Sequence, residues 1–300
     1  MVTIVLPTVS RPAMLRTALE SVADQSASDA ISRIFVSENG ASRESEAVCR
    51  EFPSLPITYV FRNSMSPMDH ARTLMRECLH GELTAILHDD DWWAPSHLAN
   101  AMWNLKSNTD AVAYCANHLL VAAESSLPKC CDTQLFAWFG ANYAPLNSVW
   151  ELSRTNVLMG GLLGTMAHYS SLVVRTAAMK SAAYVYDLEN PFDNDRMLLF
   201  ALSKSGSLMF NPLPEVFVRY HGAQECASFD SYTKIKHMCD TTRWMVQTNG
   251  KPLEIVAKTF MKRVAMCPPE AVELLKARSE KEWCLPELNR QLLSKALMAA

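Results

Sequence analysis

Residues 83–97 read LTAILHDDDWWAPSH. The apolar run Leu83–Leu87 has the length and composition of a buried strand. It ends in His88 and three consecutive carboxylates, Asp89, Asp90 and Asp91, followed by Trp92, Trp93 and a helix expected to open at Pro95. Adjacent carboxylates repel one another, and removing them from water requires a compensating cation. At the carboxyl end of a strand in an α/β sheet, where ligands bind, the run reads as an oxygen-rich site for Mg2+ or Mn2+. The bland alternative is a solvated acidic loop that caps the Pro95 helix.

Upstream, the hydrophobic pattern alternates strand and helix. Thr3–Leu6 reads as a short strand stopped by Pro7, and Leu15, Ala18, Leu19 and Val22 recur at helical spacing down to Gln25. Ile34–Ser37 is a second strand running into a turn at Glu38-Asn39-Gly40. A polar helix through Val48 and a third strand at Ile57–Phe61 follow. Asp69 opens a helix with Ala71, Leu74, Met75 and Cys78 on one face, closed near Gly81. The fourth strand is the one that delivers the aspartates. This βα alternation predicts a mainly parallel sheet with right-handed crossovers. Neither G-x-G-x-x-G nor a P-loop follows the first strand, so a bound nucleotide would need a metal at its phosphates.

The second half is less regular. Ala111–Val121, Ser171–Val174, Ser207–Phe210 and Val216–Tyr220 read as strands, 124–133 as a loop, and Arg196–Lys204 as a helix preceded by an acidic segment. The aromatics Trp138, Phe139, Tyr143 and Trp150 suit either sugar stacking or core packing. Beyond about residue 229 the pattern is helical, with Leu274, Leu285, Leu292 and Leu297 among the apolar positions. Those helices are expected to dock on the parent domain, on a second copy as a homodimer, or on a membrane surface as a peripheral contact.

Composition bounds the function. With 49% hydrophobic and 20% charged residues among 300, the chain can bury a large core. A formal charge of -3 argues against nucleic acid as the main partner. Nine cysteines without a C-x-x-C pair suit reduced thiols in a cytoplasmic protein. No apolar run approaches the roughly 18 residues of a membrane-spanning helix, and the amino terminus enters a strand without a signal-peptide pattern.

Taken in order, these residues resemble the inverting family 2 glycosyltransferases with the GT-A fold. The likeness covers residues 3–105 well and 160–228 more loosely. Leu6-Pro7-Thr8 with Arg11, Leu15 and Gln25 resembles the opening strand and helix. Glu38 stands at the position of an acidic residue that contacts the nucleobase, and Ala71-Arg72 resembles the segment whose arginine meets the nucleotide. Leu87–Pro95 is similar to the D-x-D motif and its sequel, except that His88 replaces the first aspartate.

The resemblance implies a GT-A domain over 1–228, with a nucleotide-binding half (1–105) and an acceptor-binding half (106–228). A helical extension follows over 229–300. It implies a nucleotide site of Pro7, Thr8, Arg11, Glu38, Arg72 and Asp89. Mn2+ or Mg2+ is expected on Asp90, supported by Asp91 and by His221, which sits in Val-Arg-Tyr-His-Gly (218–222). Trp92 and Trp93 are expected to contact acceptor or sugar. The catalytic base maps onto Asp195, with Asp193 competing because Asn194 departs from the expected first acid; capping of the helix from Arg196 is the structural alternative for both. The expected donor is a nucleotide-diphosphate sugar, UDP-sugars favoured. The acceptor is a glycan or lipid-linked hydroxyl in cell-surface polysaccharide assembly, at the cytoplasmic side of the membrane. A sugar-nucleotide-forming nucleotidyltransferase would carry a glycine-rich basic loop where Pro7–Pro12 stands without glycine, and a non-catalytic sugar-nucleotide binder is the alternative from another class.

Overall fold

The computed structural model describes residues 1–122, 129–130, 148–154, 156–158, 167–188, 193–221 and 231–249. The stretch 131–147 with Trp138, Phe139 and Tyr143, and the helices expected after 249 with the dimer or membrane contacts expected of them, lie outside these residues.

The amino-terminal alternation is present in the order expected. Strands β1 (Val2–Thr8), β2 (Ile31–Gly40), β3 (Ile57–Asn63) and β4 (Leu83–Ile86) are joined by helices α1 (Pro12–Ala23), α2 (Glu44–Arg50) and α3 (Pro67–Glu77). All pairings among these strands are parallel, in the order β3-β2-β1-β4. β1 and β4 are buried on both faces, as their unbroken apolar runs require. Strand β1 does not stop at Pro7 but runs on to Thr8. Its pairing with β4 ends at Val5, so Pro7 has a strand, β2, on one side only, and its missing N–H costs the ladder little. Helix α3 begins at Pro67 rather than Asp69, because Ser66 is the cap: its hydroxyl accepts from the Asp69 N–H at 3.1 Å.

After β4 come the two-residue strand β5 (Trp92–Trp93), α4 (His97–Ser107), β6 (Ala111–Ala122), β7 (Lys129–Cys130), β8 (Trp150–Leu152) and β9 (Val173–Arg175). α5 (Thr176–Ala182), a 3-10 segment Ala183–Leu188, α6 (Asn194–Leu202), β10 (Ser207–Tyr220) and α7 (Ser231–Asn249) complete the described elements. The sheet continues past β4 as β9-β6-β10-β5, with β7 on β6 and β8 on β10. β9 is antiparallel to both neighbours and splices the two halves, while β6 and β10 pair in parallel.

The two strands expected at 207–210 and 216–220 are one, β10, with irregular register between Asn211 and Val216. That bulge holds a buried polar knot. Glu215 accepts from Tyr114 (2.8 Å), Asn211 (2.8 Å) and Asn100 (2.5 Å) and pairs with His97 Nδ1 at 3.0 Å. The Glu215 carbonyl also takes the Ala94 N–H at 2.8 Å, tying the chain just after the aspartates to β10. Gly206 precedes β10 because a Cβ there would lie 2.3 Å from the Asp110 carbonyl oxygen. Among the described residues no helix is long and apolar enough to cross a membrane.

Candidate active site

The acidic run leaves the sheet where β4 ends, and all three carboxylates are buried. Each faces a different set of partners. Asp89 Oδ2 accepts from the Thr8 hydroxyl at 2.7 Å and the Val9 N–H at 3.3 Å, so it belongs to the loop after β1. Arg11 bridges Asp89 and Asp90, at 3.3 and 3.2 Å from one guanidinium nitrogen. Asp90 Oδ2 also lies 3.1 Å from His221 Nε2, beyond the end of β10. Asp91 turns the other way. Its Oδ1 accepts from the Arg219 N–H at 3.2 Å, and its Oδ2 takes the Ser170 hydroxyl at 2.5 Å and lies 3.3 Å from His168 Nδ1.

Burial and crowding set the protonation of this run. Burial raises the Asp89 carboxyl above its ordinary range and the neighbouring Asp90 charge adds to it, against Thr8 and Arg11. Asp91 is pushed well up by the same two causes, despite its bonds from Ser170 and Arg219. Carboxylates held this way gain from any added positive charge, which fits a cation-binding role. His168 is driven the opposite way, well below the usual imidazole value, by burial and then by His88 and His118, so it is neutral at pH 7.

The expected metal ligands are therefore divided. Asp90 and His221 face each other, whereas Asp91 belongs with His168 and His88. Among the described residues, His88, Asp91 and His168 are the one group of three such side chains whose ligand atoms all lie within 4.8 Å of one another. His168 and Ser170 had no signal in the sequence: His168 caps a single 3-10 turn (Tyr169–Ser171) and Ser170 lies within it, far in sequence from the aspartates they meet.

The remaining expected residues lie around this centre. Glu38 is fully buried at the end of β2, its carboxylate accepting from the Ser45 hydroxyl at 2.8 Å and from Tyr59. It is an inner wall rather than an exposed contact. Arg72 on α3 donates to Asp69 (2.8 Å) and to the Tyr186 carbonyl (3.0 Å), so reaching a phosphate would require exchanging those partners. Trp92 stacks on Phe217 at 5.3 Å, and the Arg219 guanidinium lies 4.9 Å above its ring. Trp93, expected to touch sugar, is instead core: it is 2% exposed and its indole N–H donates to the Ser170 carbonyl at 2.5 Å. Alternation along a strand puts adjacent tryptophans on opposite faces, so only one of the pair can look outward.

At the start of α6 the two acids also part. Asp193 forms a buried ion pair with Arg196 at 2.5 Å, and Arg196 is 1% exposed. Asp195 is half-buried in the first turn, accepting from the Arg196 N–H at 2.7 Å. Burial chiefly pushes both Tyr169 and Tyr186 above the ordinary phenol range, with Tyr186 and then the Asp195 charge adding at Tyr169 and the Asp195 charge adding at Tyr186.

Three comparisons bear on this arrangement. Residues 3–119 match the family model described as Glycosyl transferase family 2. A search of curated proteins finds no match to the sequence. Among solved structures, the chain is similar to S. aureus TarS 1-349 in complex with UDP-GlcNAc, with TM-score 0.59 at 11% identity over 99% of this chain and 89% of that one. It is also similar to the mannosyltransferase PcManGT from Pyrobaculum calidifontis in complex with GDP-Man and Mn2+, with TM-score 0.55 at 13% identity over 99% and 85% of the two chains.

Proposed function

We propose that this chain is a glycosyltransferase, and we assign it a donor, a cation and a base: residues 3–119 match the model of glycosyl transferase family 2, and the fold is GT-A. The reaction we assign is transfer of a sugar, with inversion, from a nucleoside diphosphate sugar to an acceptor hydroxyl. The observation that carries this reading is the buried junction of Asp89 and Asp90 with Arg11 on one side and His221 on the other.

Thr8, Arg11 and Asp89 lie where β1 and β4 end, the usual place for a nucleotide in such a sheet. Pro7 and Glu38 would shape the base and ribose walls, and Arg72 the far side. Similar structures hold UDP-GlcNAc or GDP-Man; we take UDP-sugars as the first choice. A divalent cation fits Asp90 and His221, whose oxygen and nitrogen face each other across 3.1 Å, with Asp91 behind as support. A mixed oxygen and imidazole set suits Mn2+ better than Mg2+. When bound, such a cation supplies Lewis-acid stabilisation of the leaving diphosphate.

The chain's own groups do the rest. Asp195 would accept the acceptor proton: it is half-buried, and Asp193 is already committed to Arg196. Attack from the face opposite the diphosphate gives the inverted product. Trp92 is the remaining aromatic for sugar or acceptor contact. A cell-surface glycan or lipid-linked acceptor, met at the cytoplasmic face of a membrane, is the context we assign.

The test is incubation with UDP-, GDP- and dTDP-sugars with and without Mn2+, measuring nucleoside diphosphate release. We expect Mn2+-dependent release that Asp90→Ala lowers by about 100-fold or more, the equivalent of roughly 2.7 kcal/mol. Release that ignores both Mn2+ and the substitution would overturn the metal assignment, and binding without any release would make the protein a pure binder.

A further inference from the structure

His88 ends β4 where the sequence pattern called for an aspartate, and the donor site leaves it without a role. It stands with Asp91 and His168, one ligand atom from each lying within 4.8 Å of the others. Ser170, fully buried, fixes two of them. Its Oγ accepts from the His88 N–H at 3.1 Å and donates to Asp91 Oδ2 at 2.5 Å, while its N–H lies 3.3 Å from His168 Nδ1, a contact that an ion on that nitrogen would replace. Outer partners of this kind are what hold metal ligands in a working orientation. His168 Nδ1 and Asp91 Oδ2 are 3.3 Å apart. Two ligands about 2.1 Å from a common ion, at tetrahedral to right angles, lie roughly 3.0–3.4 Å apart.

We propose that His88, Asp91 and His168 form a second cation site, taking a first-row transition ion of the Zn2+ class without any nucleotide. It goes beyond the donor reading and does not rest on it. Two imidazoles and a carboxylate are a borderline-soft set that disfavours Mg2+. They also provide three protein ligands, enough to hold the ion before substrate arrives. The Asp90–His221 pair offers two, and its cation would wait for diphosphate oxygens. An ion on the His88 set would join the end of β4 to the 169–171 turn, fixing Asp91 and thereby the backbone of Asp90.

Chelator-treated full-length protein, free of nucleotide, is titrated with Co2+ and followed by visible absorption, then by Zn2+ displacement. One equivalent should bind with ligand-field bands of imidazole coordination. His88→Gln and His168→Gln should each weaken it at least about tenfold, the scale set by losses around metal sites, while His221→Gln keeps it. Far-ultraviolet circular dichroism of the metal-free variants excludes misfolding; should His168→Gln misfold, His88→Gln decides alone. No binding by the wild-type chain, binding that survives His88→Gln, or loss confined to His221→Gln would overturn the site. Because nucleotide is absent, that failure would leave Mn2+-dependent donor cleavage untouched, and failure of the donor reading would leave Co2+ binding intact.

Discussion

Asp193 and Asp195 share the first turn of α6 and have separable consequences. Asp193 neutralises Arg196, which is 1% exposed. Removing one partner of a buried pair strands the other charge at a cost of about 3–5 kcal/mol. Asp193→Ala should therefore lower the unfolding free energy measured in urea by an amount of that order. Asp195→Asn removes a half-buried carboxylate that accepts from the Arg196 N–H, a bond the amide oxygen can keep. It should leave the unfolding free energy within about 0.5 kcal/mol of wild type. Transfer should fall by roughly 100- to 10,000-fold, the range for a lost general base, with donor binding by calorimetry unchanged. Wild-type turnover in Asp195→Asn would move the base elsewhere. The sequence left these two acids unresolved because only their competition for a buried arginine, not their spacing, distinguishes them.

At the scale of elements, α3 is fastened to β2 by a buried histidine. His70 Nε2 lies 2.8 Å from the Ser37 hydroxyl, beside the Glu38 wall. Burial chiefly, with Arg62 adding, depresses the His70 pKa from 6.5 to about 4. Between those values the unfolded chain binds a proton that the native chain refuses, so stability rises with pH through this window and is fully present above 6.5. Acidification from pH 7 to 4.5 should cost up to about 1.4 kcal/mol per unit from this group, a dependence that His70→Gln removes. Equilibrium urea unfolding across pH measures it; an unchanged slope in the variant would assign the acid sensitivity to other groups. A second element-level constraint is steric. Gly206→Ala would push a methyl against the Asp110 carbonyl oxygen and Val112 Cγ1. It should destabilise by about 1–3 kcal/mol, the usual range for overpacking, read by the same unfolding assay. The βα units were legible because each carries its own hydrophobic period. β5, the antiparallel direction of β9 and the bulge at Glu215 were not. They are short or irregular, and what fixes them is pairing with β10, β4 and β6, which no local pattern encodes.

Among the described residues the strands form one sheet in which β9 splices two halves, and the candidate site is assembled from both. Thr8, Arg11 and Asp89–Asp91 come from the first half; Arg219 and His221 come from the end of β10, and His168 and Ser170 from the turn before β9. This division explains what sequence alone could reach. The aspartates, Arg11 and His221 carry chemistry in their own residue types, whereas the grouping of Asp91 with His168 depends on where β9 inserts. It also gives a global prediction. A ligand that touches both halves binds the folded sheet and not the unfolded chain, and at 100 times its Kd it stabilises by about 2.7 kcal/mol. For a chain of this size that corresponds to a rise in Tm of roughly 4 °C. UDP with Mn2+ should produce such a rise as a single shifted transition, UDP alone a smaller one, and His221→Gln should reduce the Mn2+-dependent part. Were UDP to stabilise only an early or a late portion of a two-step melt, the halves would be thermodynamically separate and the site would not span them. If GDP with Mn2+ gave the larger shift, the donor base would be guanine and the Glu38 wall, held by Ser45 and Tyr59, would be the place to look for the discrimination.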